Sequence, residues 1–133
     1  MSRILLDTHA WAWTLTADGR LSASAMAAIE AADDVSISAI SLYEIGQKVR
    51  LGKWPEMAPH LSELIAAADR QGGRLLPISP QASLMAATMD WAHRDPFDRI
   101  VAATALTEGL ALISADSVFD EIASLQNWPG RVW

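Results

Sequence analysis

Short apolar runs alternate along the chain with longer Ala-rich stretches that carry helical spacing. Arg3–Leu6, Val35–Ser38, Arg74–Ile78 and Leu110–Ser114 predict four buried strands, because each is short, apolar and without the strict alternation of a half-solvated strand. Between them, spacing and an abundance of Ala, Leu, Glu and Arg predict helices over 9–16, 22–33, 41–51, 59–71, 80–92 and 98–108. Gly52, Gly72-Gly73 and Gly109 follow the third, fourth and sixth of these, where a left-handed cap ends a helix. Pro55, Pro59, Pro80 and Pro96 fall in loops or first turns. Strand-helix-strand connections of this length favour parallel pairing through right-handed crossovers, hence an α/β fold.

Composition narrows the class. With 133 residues, 51% of them hydrophobic and 20% charged, residues 1–133 suit one globular domain rather than a disordered chain. The absence of Cys excludes a disulfide framework, a zinc ribbon and a thiol nucleophile. The longest uncharged run, Leu75 to Met89, holds two prolines and is too short to span a bilayer. Ile4–Leu6 is too short for the apolar region of a secretory signal, so no membrane association and a cytoplasmic location are expected. A net charge of −6 argues against coating nucleic acid through bulk charge, but leaves room for a local basic rim.

In open parallel sheets, ligands bind beyond the carboxyl ends of the strands. Asp7 directly follows the first strand, and Asp116 follows the fourth after Ser114-Ala115. Glu44 is expected in the first turn of the helix after the second strand, and Asp98 in the first turn of the helix leading to the fourth. Topology thus brings four acids from four separated segments to one edge, where uncompensated they would repel. Hard oxygen donors without Cys suit Mg²⁺ or Mn²⁺, ions that activate water and stabilise charge in phosphate-ester chemistry. Each acid also stands where a helix start welcomes a carboxylate. Asp7 and Asp116 can cap helices, Ser41-Leu-Tyr-Glu44 matches a capping box, and Asp95-Pro-Phe-Asp98 orders a cap, an N1 proline and an N3 acid. Their shared edge is what favours chemistry over capping.

Other features are less specific. His9, His60 and His93 lack metal-ligand spacing to one another. No nucleophile elbow, dinucleotide fingerprint or phosphate-binding glycine loop occurs. Lys48, Arg50, Lys53 and Trp54 form a basic, aromatic-bearing stretch, and Arg94 and Arg99 flank the third acid. Together they make a candidate phosphate-contacting rim, although residues of such mixed spacing are more commonly a solvated helix face, here ended by Gly52. Trp11 and Trp13 lie two apart, so one helix cannot turn both toward its own core.

Four ordered segments, Ile4-Leu-Leu-Asp-Thr-His-Ala-Trp11, Ile37-Ser-Ala-Ile-Ser-Leu-Tyr-Glu44, His93-Arg-Asp-Pro-Phe-Asp-Arg-Ile100 and Leu112-Ile-Ser-Ala-Asp116, resemble the motifs of PIN-domain proteins, in particular VapC-type toxins of bacterial toxin–antitoxin pairs. The resemblance runs from Arg3 to the terminal Arg131-Val-Trp133. It implies a three-layer α/β/α domain with a short central parallel sheet and a Mg²⁺- or Mn²⁺-dependent endoribonuclease leaving 5′-phosphate and 3′-hydroxyl ends. It also implies a homodimer whose paired sites flank an RNA groove, and a cognate antitoxin. Asp7, Glu44, Asp98 and Asp116 match the acidic metal-site positions, with Thr8, Ser114 and Asp95 beside them as polar support; Ser114 stands where Thr is usual.

Other folds also place an Asp after a first parallel strand. A haloacid-dehalogenase-type phosphatase needs a second Asp where His9 stands, and a receiver domain needs a late Lys, whereas the only lysines are Lys48 and Lys53. A catalytically silent PIN-like binding module is the remaining alternative, and the presence of all four acids counts against it.

Overall fold

The computed structural model describes residues 2–133. Five strands, β1 (Arg3–Leu6), β2 (Asp34–Ser38), β3 (Arg74–Leu76), β4 (Ala111–Ile113) and β5 (Arg131–Val132), form one sheet in the order β3-β2-β1-β4-β5. Every pairing is parallel; Leu6 lies opposite Ile37 on one side and Ile113 on the other. The four expected strands are present. The fifth, only two residues long and directly after Pro129-Gly130, carries no sequence pattern of its own and pairs with the edge that β4 offers.

The α-helices are α1 (Thr8–Thr16), α2 (Ala23–Ala31), α3 (Ala39–Arg50), α4 (Leu64–Arg70), α5 (Pro80–Thr88) and α6 (Pro96–Glu108). Two 3₁₀ segments, Pro55–Glu63 and Ser117–Ile122, complete the regular structure. The helix expected over 59–71 therefore splits, with Pro59 inside the 3₁₀ segment, where an α-helix would lose a backbone hydrogen bond. The helix expected to reach residue 92 ends at Thr88. At Gly109 the left-handed cap is realised, with φ +67° and its N–H bonded to Ala105 O.

The period of two along the strands divides the core. Ile4, Leu6, Ile37 and Ile113 face Trp11, Ala25, Ile45, Met57, Leu64 and Ala68. Leu5 and Leu112 face Val101, Ala102 and Ala105 of α6 together with Phe119 and Ile122. α5 packs outside α6 through Ala82, Ala86 and Ala103. Helices thus cover both faces of a sheet whose strands are apolar on both sides, as expected of a three-layer α/β/α domain. No helix among the described residues is long and apolar enough to cross a membrane.

Candidate active site

All four acids line one cavity of about 300 Å³ at the carboxyl edge of the sheet, together with His9, Trp13, Lys48, Asp95 and Ala115. Each arrives on a separate segment. Asp7 caps α1, its Oδ1 accepting from Thr8 N at 2.9 Å, while its own N–H extends the β1–β4 ladder by donating to Ile113 O at 2.9 Å. Asp116 caps the 3₁₀ turn 117–122 by accepting from Val118 N. Asp95 caps α6, accepting from Phe97 N and Asp98 N, and Pro96 opens the helix, so Asp98 projects from the third helical position. The capping and cavity roles coincide in the same side chains, because a helix that starts at this edge points its free N–H groups and its first-turn acids at the same place.

Glu44 departs from expectation. Ser38, not Ser41, caps α3, which begins at Ala39, so Glu44 sits in the second turn and there is no capping box with Ser41. The buried Ser41 hydroxyl instead pairs with that of Thr8 at 2.8 Å, tying α3 to α1. Glu44 still reaches the cavity. Its carboxylate is 6% exposed and accepts from Lys48 Nζ, one turn on, at 2.6 Å.

The electrostatics are those of crowded, partly desolvated acids. Burial pushes the Asp7 carboxyl up to about 7; its bond from Ser114 opposes the rise, and Asp98 and Glu44 add to it. Asp98 is pushed up to about 6, again chiefly by burial, with the bond from His93 opposing and Asp95 adding. Desolvation and then Lys48 hold the His9 imidazole below its ordinary value. A cavity that makes Asp7 and Asp98 reluctant to ionise is short of positive charge, and among its lining residues Lys48 is the one lysine or arginine.

The donors fit a hard divalent cation. Carboxylate oxygens dominate, no sulfur is present, and a positive ion would relieve the repulsion that raises Asp7 and Asp98. Among the described residues, one group of potential ligand atoms lies within 4.8 Å of one another: His93, Asp95 and Asp98. The other acids stand around the wider cavity, as suits an ion that keeps several of its own waters.

His93 emerges here as a site neighbour that sequence reasoning left aside. Its Nε2 lies 2.7 Å from Asp98 Oδ2. The His93-Arg-Asp-Pro-Phe-Asp98 segment carried the signal, since a cap at Asp95 turns the preceding loop back toward the first helical turn.

The candidate basic rim divides. Lys48 lines the cavity, whereas Arg50, Lys53 and Arg94 are exposed beyond it. Arg99 is corrected outright. Its guanidinium donates to the carbonyls of Ala86, Met89, Trp91 and His93 at 2.7–2.8 Å, so it is occupied in closing the 86–93 turn and is not free for RNA.

The family model for the PIN domain matches residues 4–125. Ribonuclease VapC22 of Mycobacterium tuberculosis is 32% identical over 117 residues, which cover 87% of this chain and 88% of that protein. Among solved structures, VapBC2 from Rickettsia felis bound to a promoter DNA fragment superposes with a TM-score of 0.68 at 16% identity, covering 98% of each chain. Mycobacterium tuberculosis VapC20, described as a sarcin–ricin-loop-cleaving toxin, superposes at 0.60 with 19% identity over 89% of this chain and 93% of its own. The four acidic segments, the parallel sheet that gathers them and the matched span agree, and the chain belongs to the PIN-domain family.

Proposed function

We propose that this protein is a divalent-metal-dependent endoribonuclease, the toxin of a toxin–antitoxin pair. The observation that carries the reading is the convergence of Asp7, Glu44, Asp98 and Asp116, from four separated segments, on one cavity. The 32% identity to Ribonuclease VapC22 supports RNA as substrate. Similarity in fold to a toxin–antitoxin complex from Klebsiella pneumoniae (TM-score 0.58, 20% identity, covering 93% of each chain) supports a cognate antitoxin as partner. A homodimer with paired sites flanking an RNA groove is proposed from the family likeness.

Asp7, Glu44, Asp98 and Asp116 would hold Mg²⁺ or Mn²⁺. The ion, when bound, lowers the pKa of a water and neutralises charge on a phosphodiester. The rest falls to the chain. Ser114, donating to Oδ2, and Thr8 N, donating to Oδ1, fix the rotamer of Asp7 at the cavity. Asp95 holds the first turn of α6 and so sets the direction of Asp98. His93 holds Asp98 Oδ2. Lys48 pairs with the nearly buried Glu44 carboxylate at 2.6 Å and places a cation at the cavity, beside the path of a phosphate backbone.

The test is cleavage of total cellular RNA by purified protein in Mn²⁺ or in EDTA, beside an identically prepared Asp7→Asn variant. Discrete cuts that require Mn²⁺ and the carboxylate are expected. No cleavage, together with no effect of Mn²⁺ on the melting temperature, would point to a binding module instead.

A further inference from the structure

A row of four rings runs along one wall of the acidic cavity. Trp54 stacks on His9, with centroids 4.5 Å apart and planes 24° from parallel; His9 meets Trp13 at 5.8 Å, and Trp13 meets Trp133 at 5.6 Å. The two ends of the row are anchored, for Trp54 and Trp133 both pack against the hydrophobic core. The two middle members, exposed His9 and half-buried Trp13, line the cavity that holds the acids. A cation lies over each side of the row: Arg20 is 5.0 Å from the Trp13 ring centroid and Lys48 5.7 Å from that of Trp54.

Packing alone does not account for Trp13. Trp11, two residues earlier on α1, is fully buried and donates its indole N–H to Gln71 Oε1 at 3.0 Å, which is the behaviour of a core tryptophan. Trp13 leaves the same helix on another side and lines the cavity that the carboxylates share. Aromatic faces interleaved with cations beside a phosphodiester site match what single-stranded RNA requires: unstacked bases lie on rings and cations follow the backbone.

We propose that His9 and Trp13, backed by Trp54 and Trp133, form a stacking platform for an unpaired nucleobase adjoining the phosphodiester held at the acids. The platform selects unstacked, single-stranded RNA and sets the register of the strand across the carboxylates.

The inference rests on the ribonuclease reading, but its test reads binding. In an Asp7→Asn background, so that no strand is cut during titration, His9→Ala and Trp13→Leu are compared by fluorescence anisotropy. The probes are a fluorescein-labelled single-stranded RNA of about 12 nucleotides in mixed sequence and an abasic oligomer of equal length. Each variant is expected to bind the base-bearing strand about 5- to 100-fold more weakly and the abasic strand within about twofold of its parent. Trp13→Tyr, which keeps a ring in place, should retain most of the affinity, and unchanged binding of the abasic strand by Trp13→Leu shows that its loss on the base-bearing strand is not misfolding. Unchanged affinity for the base-bearing strand, or an equal loss on both oligomers, overturns the platform and assigns the rings to packing or to a protein partner. If the wild type cuts no RNA while the base-selective loss persists, the ribonuclease reading falls and the platform stands.

Discussion

The Ser114 hydroxyl donates to Asp7 Oδ2 at 2.7 Å, joining two residues 107 positions apart, and the same oxygen accepts from Asp116 N at 3.0 Å. One buried hydroxyl therefore sets the spacing between two of the cavity's acids. Ser114→Ala should lower the melting temperature by the equivalent of about 1–2 kcal/mol, since it strands a buried carboxylate oxygen and an amide. It should also shrink the rise in melting temperature that Mn²⁺ gives, whereas Ser114→Thr, which keeps the hydroxyl, should preserve that rise. Identical metal responses in all three proteins, measured by differential scanning fluorimetry, would separate Ser114 from the site.

Asp7 makes the metal-free protein sensitive to pH in a defined direction. Its carboxyl titrates near 3.8 when exposed and about 7 in the fold. Between those values the folded state holds a proton that the unfolded state has released, so stability falls as pH rises through the window and levels off above it. Asp98 adds a smaller fall between 3.8 and about 6. In EDTA at pH 8, Asp7→Asn should therefore be more stable than wild type, by up to about 4 kcal/mol before the loss of its hydrogen bonds is subtracted. The advantage should shrink steadily toward pH 5. Urea unfolding at both pH values measures it, and a constant difference would contradict the assignment of burial as the cause.

Metal should reverse that order. A ligand bound only by the folded state stabilises by about 2.7 kcal/mol at a hundredfold excess over its dissociation constant. Saturating Mn²⁺ is expected to raise the melting temperature of wild type, and to do so much less for Glu44→Gln, Asp98→Asn and Asp116→Asn. Lys48→Ala is expected to lower the metal-free stability, because Glu44 is nearly buried and loses its counter-charge, yet to gain more from Mn²⁺ than wild type does. Calorimetric titration with Mn²⁺ and Mg²⁺ checks both halves.

Arg99 should behave as a structural residue with a functional consequence. Arg99→Ala leaves four inward carbonyls without a donor and is expected to cost about 2–4 kcal/mol, with Arg99→Lys restoring only part, since an ammonium cannot span the same fork. The segment it closes ends at His93, which holds Asp98, so metal affinity should fall along with stability. Retained stability in Arg99→Ala, read by chemical unfolding, would contradict the role.

The sheet and the acids were legible because each rests on a local rule. An apolar run followed at once by Asp gave β1 and Asp7, and Asp95-Pro-Phe-Asp98 gave the start of α6. Glu44 reached the cavity through a different helical turn from the one its spacing suggested, because Ser38, at the very end of β2 and three residues before Ser41, had already capped the helix. Arg99 resembled a rim cation since its partners are backbone carbonyls, which no sequence displays. β5 is two residues long and owes its existence to the edge it joins. The His93–Asp98 contact depends on how a loop folds back, and that is tertiary information.

β1 sits at the centre of the sheet although it is made first, and its neighbour on one side, β4, lies more than a hundred residues downstream. During synthesis, Asp7 is therefore held in an unfinished sheet until Ile113 and Ser114 emerge from the ribosome, and Asp116 cannot take its place beside it any sooner. A chain interrupted before that point carries Asp7, Glu44 and Asp98 but lacks the strand, the Ser114 hydroxyl and the Asp116 carboxylate that complete the cavity, so the site is finished only when nearly the whole domain has been made.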